Sequence, residues 1–179
     1  MSIFDDAQVV VLAADYIGMD ASGKINAIGA GFTVSGVLPT GLVAPQHIAV
    51  MVDLPSKHAG AEFSLSIELR DESTDSAVKV AGPGGQLEPL RIGQLAKVLQ
   101  SQSVPGVYIP ARMFCRVQAL LAFPNGLPVA PGGFYFWRVE IDGQHRKHWK
   151  ASFHVLGPPP PAVFGGPTGP AGIPTLPAP

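Results

Sequence analysis

The chain has 179 residues, of which 46% are hydrophobic and 14% are charged, and its formal net charge is -1. A charged fraction below the usual ~25%, without net positive charge, excludes a protein that is drawn as a whole to nucleic acid or to an anionic membrane. The single cysteine, Cys115, excludes an internal disulfide and a cysteine-based zinc site. Partners must therefore be recognised by local surface features.

The first residues favour the cytoplasm as the place of synthesis. The opening M-S-I-F-D-D carries acidic residues where a signal peptide carries basic ones, and the apolar run 9–14 is too short for a signal core or a membrane span. We therefore expect a protein that stays in the cytoplasm or is assembled there into a larger particle.

Most of the chain alternates between apolar and polar residues, as β-strands do. The clearest case is 63–70, where Phe63, Leu65, Ile67 and Leu69 alternate with polar residues. Residues 113–121 and 135–141 have the same period of two. Further strands are expected, in chain order, at 9–16, 24–34, 46–53, 77–80 and 149–155.

Turn-forming residues separate these segments, among them the Asn-Gly pair at 125–126 and the Asp-Gly pair at 142–143. About eight or nine short strands with frequent turns predict an all-β protein, an antiparallel β-sandwich. The connections 35–45 and 81–105 are long enough to cross between two sheets. Only 95–102 has a pattern compatible with a helical turn.

Four consecutive aromatic residues, 134–137, make both faces of one predicted strand apolar. Two interpretations fit this pattern equally well. In the first, one face packs on the core and the other meets a partner. In the second, the strand is central in its sheet and buried on both faces.

The candidate catalytic and metal-binding constellations are incomplete. Asp142, His145 and His148 could be proposed as metal ligands, but residues three apart on a hairpin do not share a face. Ser152 and His154 lack the strand-turn-helix context of a serine nucleophile, as do Ser56 and His58. We predict a non-enzymatic protein without metal or other cofactor.

The only concentrated positive segment is H-R-K-H-W-K at 145–150. A tryptophan among cations can stack on a nucleic-acid base, but nucleic-acid binders spread phosphate contacts over a whole face, and this chain is slightly acidic. We predict instead a basic loop that docks on an acidic neighbouring subunit. Its residues are His145, Arg146, Lys147, His148 and Trp149.

The chain has no charged residue after Lys150, and 157–179 contain nine prolines and five glycines. Such a segment lacks the amide donors of a helix or strand, so we predict a sandwich domain of 1–156 followed by an extended arm of 157–179. The arm is expected to dock on a neighbouring subunit; folding back on its own domain is the alternative. Its candidate contact residues are Pro158, Pro159, Pro160, Pro161, Val163, Phe164, Ile173 and Leu176. Three Gly-x-y steps at Gly166, Gly169 and Gly172 add the hypothesis of a homotrimer.

The opening segment L-A-A-D-Y-I-G-M-D-A-S-G-K-I-N-A-I-G-A-G-F resembles that of an uncharacterised family of small bacterial and phage proteins. The matching positions are Leu12, Asp15, Gly23, Lys24, Ile25, Asn26, Gly29 and Gly31. The closing G-G-F-Y-F-W-R-V-E-I-D-G and S-F-H-V resemble the last hairpin of that family. The resemblance implies no activity. The motif itself favours structural roles: a bulge or close backbone approach at Gly29 and Gly31, and turn hydrogen bonds from Asp15 and Asn26.

Together these features predict a structural protein of a bacteriophage virion, most simply a capsid decoration or minor capsid protein. Its partners would be the major capsid protein or other virion subunits, without membrane or nucleic-acid contacts. The alternative is a soluble cytoplasmic bacterial module that binds a peptide or carbohydrate and carries a proline-rich recognition tail.

Overall fold

The structure, a computed structural model, describes residues 2–82, 84–99 and 114–157. These ranges contain one short helix, α1 (Ile3–Asp6), and one 3-10 turn (Ser56–His58). The strands are β1 (Gln8–Ala14), β2 (Tyr16–Met19), β3 (Ile25–Ile28), β4 (Val34–Ser35), β5 (Gln46–Pro55), β6 (Glu62–Asp71), β7 (Ser76–Ala77), β8 (Lys79–Ala81), β9 (Leu87–Pro89), β10 (Arg91–Lys97), β11 (Phe114–Phe123), β12 (Phe134–Ile141) and β13 (Lys150–Val155).

Nine of these strands form two sheets. The three-stranded sheet has the order β1-β5-β11, and the six-stranded sheet has the order β10-β6-β12-β13-β4, with β7 beside β6. Every pair is antiparallel except β13 with β4. The hairpins β2-β3 and β8-β9 form two further two-stranded sheets, which share no strand pairing with the two large sheets. The predicted all-β, antiparallel sandwich is confirmed, with one short parallel pair added.

The core lies between the two sheets. Alternate residues of β5, including Ile48, Val50 and Val52, are fully buried and belong to the same apolar cluster as the inner face of β6. Trp137 of β12 stacks on Phe123 of β11 with ring centroids 5.0 Å apart, which joins the two layers. Each aliphatic side chain buried in this way stabilises the fold by about 1.5–3 kcal/mol.

The position of β12 in its sheet explains the four consecutive aromatic residues at 134–137. β12 lies between β6 and β13 in the six-stranded sheet, and Tyr135, Phe136 and Trp137 are all buried. Only Phe134 remains exposed, stacked on His154 of β13 at 4.4 Å. The interpretation as a central strand buried on both faces is therefore the one that holds for 135–137.

Several segments differ from the sequence-based expectation. The long connection expected over 81–105 contains two strands, β9 and β10. The stretch compatible with a helical turn is a strand as far as Lys97, because β10 pairs with the edge of β6, where Leu95 lies opposite Ser64. The strand expected over 24–34 ends at Ile28, because Gly29 and Gly31 adopt positive φ values of 63° and 77° and turn the chain. Residues 100–102 and the predicted start of the strand at Met113 lie outside the described residues.

Hydrogen bonds hold the pKa of several surface aspartates below the ordinary value. Asp6 accepts from Lys57 and His58, Asp71 from Ser73, and Asp75 from Arg70. A carboxylate with a lowered folded-state pKa adds stability that is fully present above its unfolded pKa of about 3.9 and is lost as the pH falls through the folded value.

We therefore expect the melting temperature of the full chain to drop steeply below about pH 4. Asp71→Asn should make this drop shallower, because asparagine can still accept the turn hydrogen bonds but does not titrate. Thermal melts followed by circular dichroism between neutral pH and pH 3 measure both effects. An equally steep drop in Asp71→Asn would show that this carboxylate does not contribute.

Candidate functional site

The β2-β3 hairpin folds over the outer face of the three-stranded sheet. Ile17 of β2 is buried against Ala14 and Ala49 of that face, and Leu12 and Ile25 pack around this small cluster. The two alanines allow the hairpin to approach closely, because they present little side chain at the contact. The hairpin is thereby held at its base, and a cleft is left between it and the sheet.

This hairpin cleft has a volume of about 610 Å³. The hairpin forms one side of the cleft, and the outer face of β1, β5 and β11 forms the other. The lining residues are Leu12, Gly23, Lys24, Ile25, Ala27, Met51, Arg116 and Gln118. The Arg116 guanidinium is already bound by both carboxylate oxygens of Asp53, each at 2.7 Å. Because the ion pair is made within the chain, the cleft offers mainly apolar surface with one amide and one lysine.

Four motif positions, Leu12, Gly23, Lys24 and Ile25, line the hairpin cleft. The predicted close approach at Gly29 is present, since a Cβ there would lie 2.0 Å from Asp15 Oδ2. The turn hydrogen bonds come instead from Asp20, whose Oδ1 accepts from the amides of Ser22 and Lys24 at 2.8 and 2.9 Å. The expectation that Asp15 and Asn26 make the turn hydrogen bonds was therefore wrong.

Sequence reasoning did not find this cleft. A signal for it exists in the run 48–52, I-A-V-M-V, which is apolar at every position. In a sandwich strand such a run indicates that both faces are covered. The identity of the covering element, a hairpin at least 20 residues earlier in the chain, depends on tertiary packing.

A second cleft lies on the outer face of the six-stranded sheet. In the middle of that face Glu68 accepts from Arg70 at 2.5 Å and from Arg138 at 3.1 Å. Arg138 also pairs with Glu140 at 2.8 Å, and Arg91 binds the other Glu140 oxygen at 2.8 Å. Cross-strand neighbours on β10, β6 and β12 thus form a ladder of alternating charges.

The cleft beside this ladder, called here the basic cleft, has a volume of about 190 Å³. It lies between the outer face of β12 and β13 and the turn that joins them. The turn reverses at Asp142 and Gly143, which adopt positive φ values of 50° and 75°. The lining residues are Asp75, Phe136, Arg138, His145, Arg146, Lys147 and Lys150.

The predicted basic loop divides into two parts. Trp149 is fully buried in the core, where its ring meets Phe4 edge-on at 5.2 Å. Arg146 donates to the carbonyl oxygens of Phe4 and Asp5 and lies over the Phe4 and Trp149 rings. These two residues tie α1 to the sandwich, so they serve the chain itself rather than an exposed docking surface.

The other three loop residues face outward. His145, Lys147 and His148 are exposed, and the first two line the basic cleft. His148 contacts Trp149 edge-on at 6.2 Å. Docking of these residues on an acidic partner stays a prediction.

The serine and histidine pairs considered as catalytic candidates have other neighbours. His58 Nε2 lies 2.8 Å from Asp6, and His154 stacks on Phe134. Over 2–82, 84–99 and 114–157, no three His, Cys, Asp or Glu side chains converge to hold a metal ion. Within the same ranges no helix is long and apolar enough to span a membrane.

The arm residues 158–179, which include all its predicted contact residues, lie outside the described residues. The last described residues run beside β4, where the Leu156 amide donates to the Ser35 carbonyl at 2.9 Å. No protein-family model matches the chain, and a search of curated proteins finds no match.

Proposed function

We propose that this protein is a non-enzymatic structural subunit of a phage virion, a capsid decoration or minor capsid protein, and that its C-terminal arm docks in the hairpin cleft of a neighbouring copy. The observation that carries the proposal is the pairing of an open apolar cleft with an uncharged segment of the same chain. The resemblance of the opening motif to small bacterial and phage proteins supports the phage setting. Contacts to the major capsid protein would use other surfaces of the same sandwich.

The chemistry of cleft and arm is complementary. Residues 158–179 contain no ionisable side chain and carry Val163, Phe164, Ile173 and Leu176 as separated apolar anchors. The cleft offers Leu12, Ile25, Ala27 and Met51. Its volume of about 610 Å³ lies within the range of about 300–1,000 Å³ that binding pockets occupy. Prolines restrict the free arm, so docking costs little conformational entropy.

The arm is long enough to reach another copy. In the polyproline conformation a segment rises about 3.1 Å per residue, so the 22 residues from 158 to 179 would span up to about 70 Å. A domain of this size has a radius of gyration of only about 15 Å. Reach therefore does not limit docking between subunits.

A matched pair of substitutions on β3 tests the docking. Ala27→Glu puts a carboxylate into the apolar cleft, whereas Asn26→Glu puts the same charge on the opposite face of the hairpin; both positions are exposed. By size-exclusion chromatography with light scattering we expect the full chain and Asn26→Glu to be multimeric. Ala27→Glu and a chain ending at Gly157 are expected to be monomeric with unchanged circular dichroism.

Mass spectrometry of purified phage particles then tests the setting, with the full chain expected in the particle and the chain ending at Gly157 lost from it. An Ala27→Glu protein that still assembles would refute docking in the hairpin cleft. Monomers throughout, with no protein in particles, would favour the alternative: a cytoplasmic module that binds a peptide or carbohydrate.

A further inference from the structure

Positive charge is concentrated on the outer face of the six-stranded sheet. Around the charge ladder and the basic cleft, six cations lie near four carboxylates, which leaves a formal charge of +2 with His145 neutral, while the whole chain has -1. The further pair of Lys97 with Glu62 on this face adds no net charge. The cations are Arg70, Arg91, Arg138, Arg146, Lys147 and Lys150, and the carboxylates are Glu68, Glu72, Asp75 and Glu140. The excess is local, so it can attract an anion only at short range.

The excess charge is centred on the basic cleft. Lys150 is paired with Glu72 at 2.8 Å, and Arg138 with Glu68 and Glu140. In contrast, Lys147 makes no ion pair or hydrogen bond with any described residue. The Nε of Arg138 is buried and has no acceptor among these residues either. Of these two groups only the Lys147 ammonium is exposed and available to a ligand, while Arg138 contributes positive charge to the lining.

The floor of the basic cleft is aromatic. Phe136 lies there, and the Lys150 ammonium stands 4.8 Å from the centre of its ring. Phe136 is only 7% exposed, so a small part of its ring faces the cleft, and a small apolar group can pack against that part. The volume of about 190 Å³ admits only a small body.

We propose that the basic cleft binds a carboxylate carried on a small apolar body, with the carboxylate toward Lys147 and Arg138 and the apolar body on Phe136. The source is either a free carboxylic acid or an acidic side chain next to an apolar residue on a partner protein. This site is separate from the hairpin cleft and does not depend on the proposed assembly.

Asp75 would compete with such a ligand. Its carboxylate accepts from Arg70 Nε at 2.9 Å and lies 4.0 Å from Arg138, and 69% of its side chain is exposed at the cleft. Asp75→Asn removes the competing charge while keeping an acceptor for Arg70. The backbone φ of 47° at this position is one that asparagine adopts readily. This substitution should therefore strengthen binding.

Titration of the 15N-labelled full chain with sodium benzoate, followed by NMR, tests the site. We expect saturable shifts at amides of 134–150 with a dissociation constant near the millimolar range, and weaker binding of acetate and of benzyl alcohol. Lys147→Gln should weaken binding about threefold or more, and Asp75→Asn should tighten it about threefold, as for charges at a binding rim. Lys79→Gln, which removes the same charge from exposed β8, should change nothing.

Two short capped peptides, one with Phe-Glu and one with Phe-Gln, distinguish the sources of the carboxylate. Binding of the Phe-Glu peptide more tightly than benzoate indicates a partner side chain, and the reverse order indicates a free acid. Three results would overturn the proposal: no saturable shift with benzoate or with the Phe-Glu peptide, equal binding of benzoate and benzyl alcohol, or equal effects of Lys147→Gln and Lys79→Gln.

Discussion

Replacing Trp149 by alanine is expected to lower the free energy of unfolding by about 3–5 kcal/mol, the cost of removing a fully buried large aromatic side chain. The ring is 0% exposed, contacts Phe4 and lies under the Arg146 guanidinium. Its loss would open a cavity and release α1 from the sandwich. Urea unfolding of the full chain, followed by circular dichroism, measures the change.

Trp149→Phe provides the control for this prediction. The indole Nε1 has no hydrogen-bond acceptor among the residues the structure describes, so phenylalanine gives up packing volume but no hydrogen bond. It should therefore cost clearly less than alanine. If alanine lowered the unfolding free energy by less than about 1 kcal/mol, Trp149 would not be a core residue, and its sequence-based assignment to a docking surface would regain support.

Replacing Glu68 by alanine should cost about 3 kcal/mol, because it leaves two largely buried arginines without their shared carboxylate. Glu68 is 5% exposed and accepts from both Arg70 and Arg138. The remaining pairs with Asp75 and Glu140 limit the loss, which places the expected value at the lower end for a broken buried ion pair.

Glu62→Ala is the matched comparison on the same face of the same strand. Glu62 is half-exposed and 3.6 Å from Lys97, so its removal should cost at most about 1 kcal/mol. Denaturant unfolding in low and high salt measures both variants. Equal costs would contradict the view that Glu68→Ala is costly because it leaves buried arginine charges without their carboxylate.

The strands were predictable where a single face of the sheet decides the pattern. In β6, Leu65, Ile67 and Leu69 point to the core, and the alternation is visible in the sequence. The turn at Asp142 and Gly143 was equally predictable, because both positions have positive φ values and an Asp-Gly pair adopts these readily. Local preference and tertiary structure agree at these places.

The charge ladder and the burial of Trp149 could not be predicted, because both depend on contacts between segments that are far apart in the sequence. The charge ladder requires the register that sets Glu68 beside Arg91 and Arg138 on two different strands. Trp149 follows a run of basic residues, which predicted an exposed position. It is buried because α1, at the other end of the chain, packs against it through Phe4. Pairing partners and covering elements come from long-range packing, which outweighs local composition.

The parallel pair between β4 and β13 has a consequence for biosynthesis. Val34 lies opposite His154, 120 positions later in the chain, and β12 pairs with both β6 and β13. Contacts between such distant segments make folding slow, because a large loop must close before they form. The six-stranded sheet cannot be completed until the ribosome has released residue 155. During synthesis, β4 and the edge of β6 that pairs with β12 therefore stay unpaired until the later strands have emerged, and such unpaired edges are prone to aggregation.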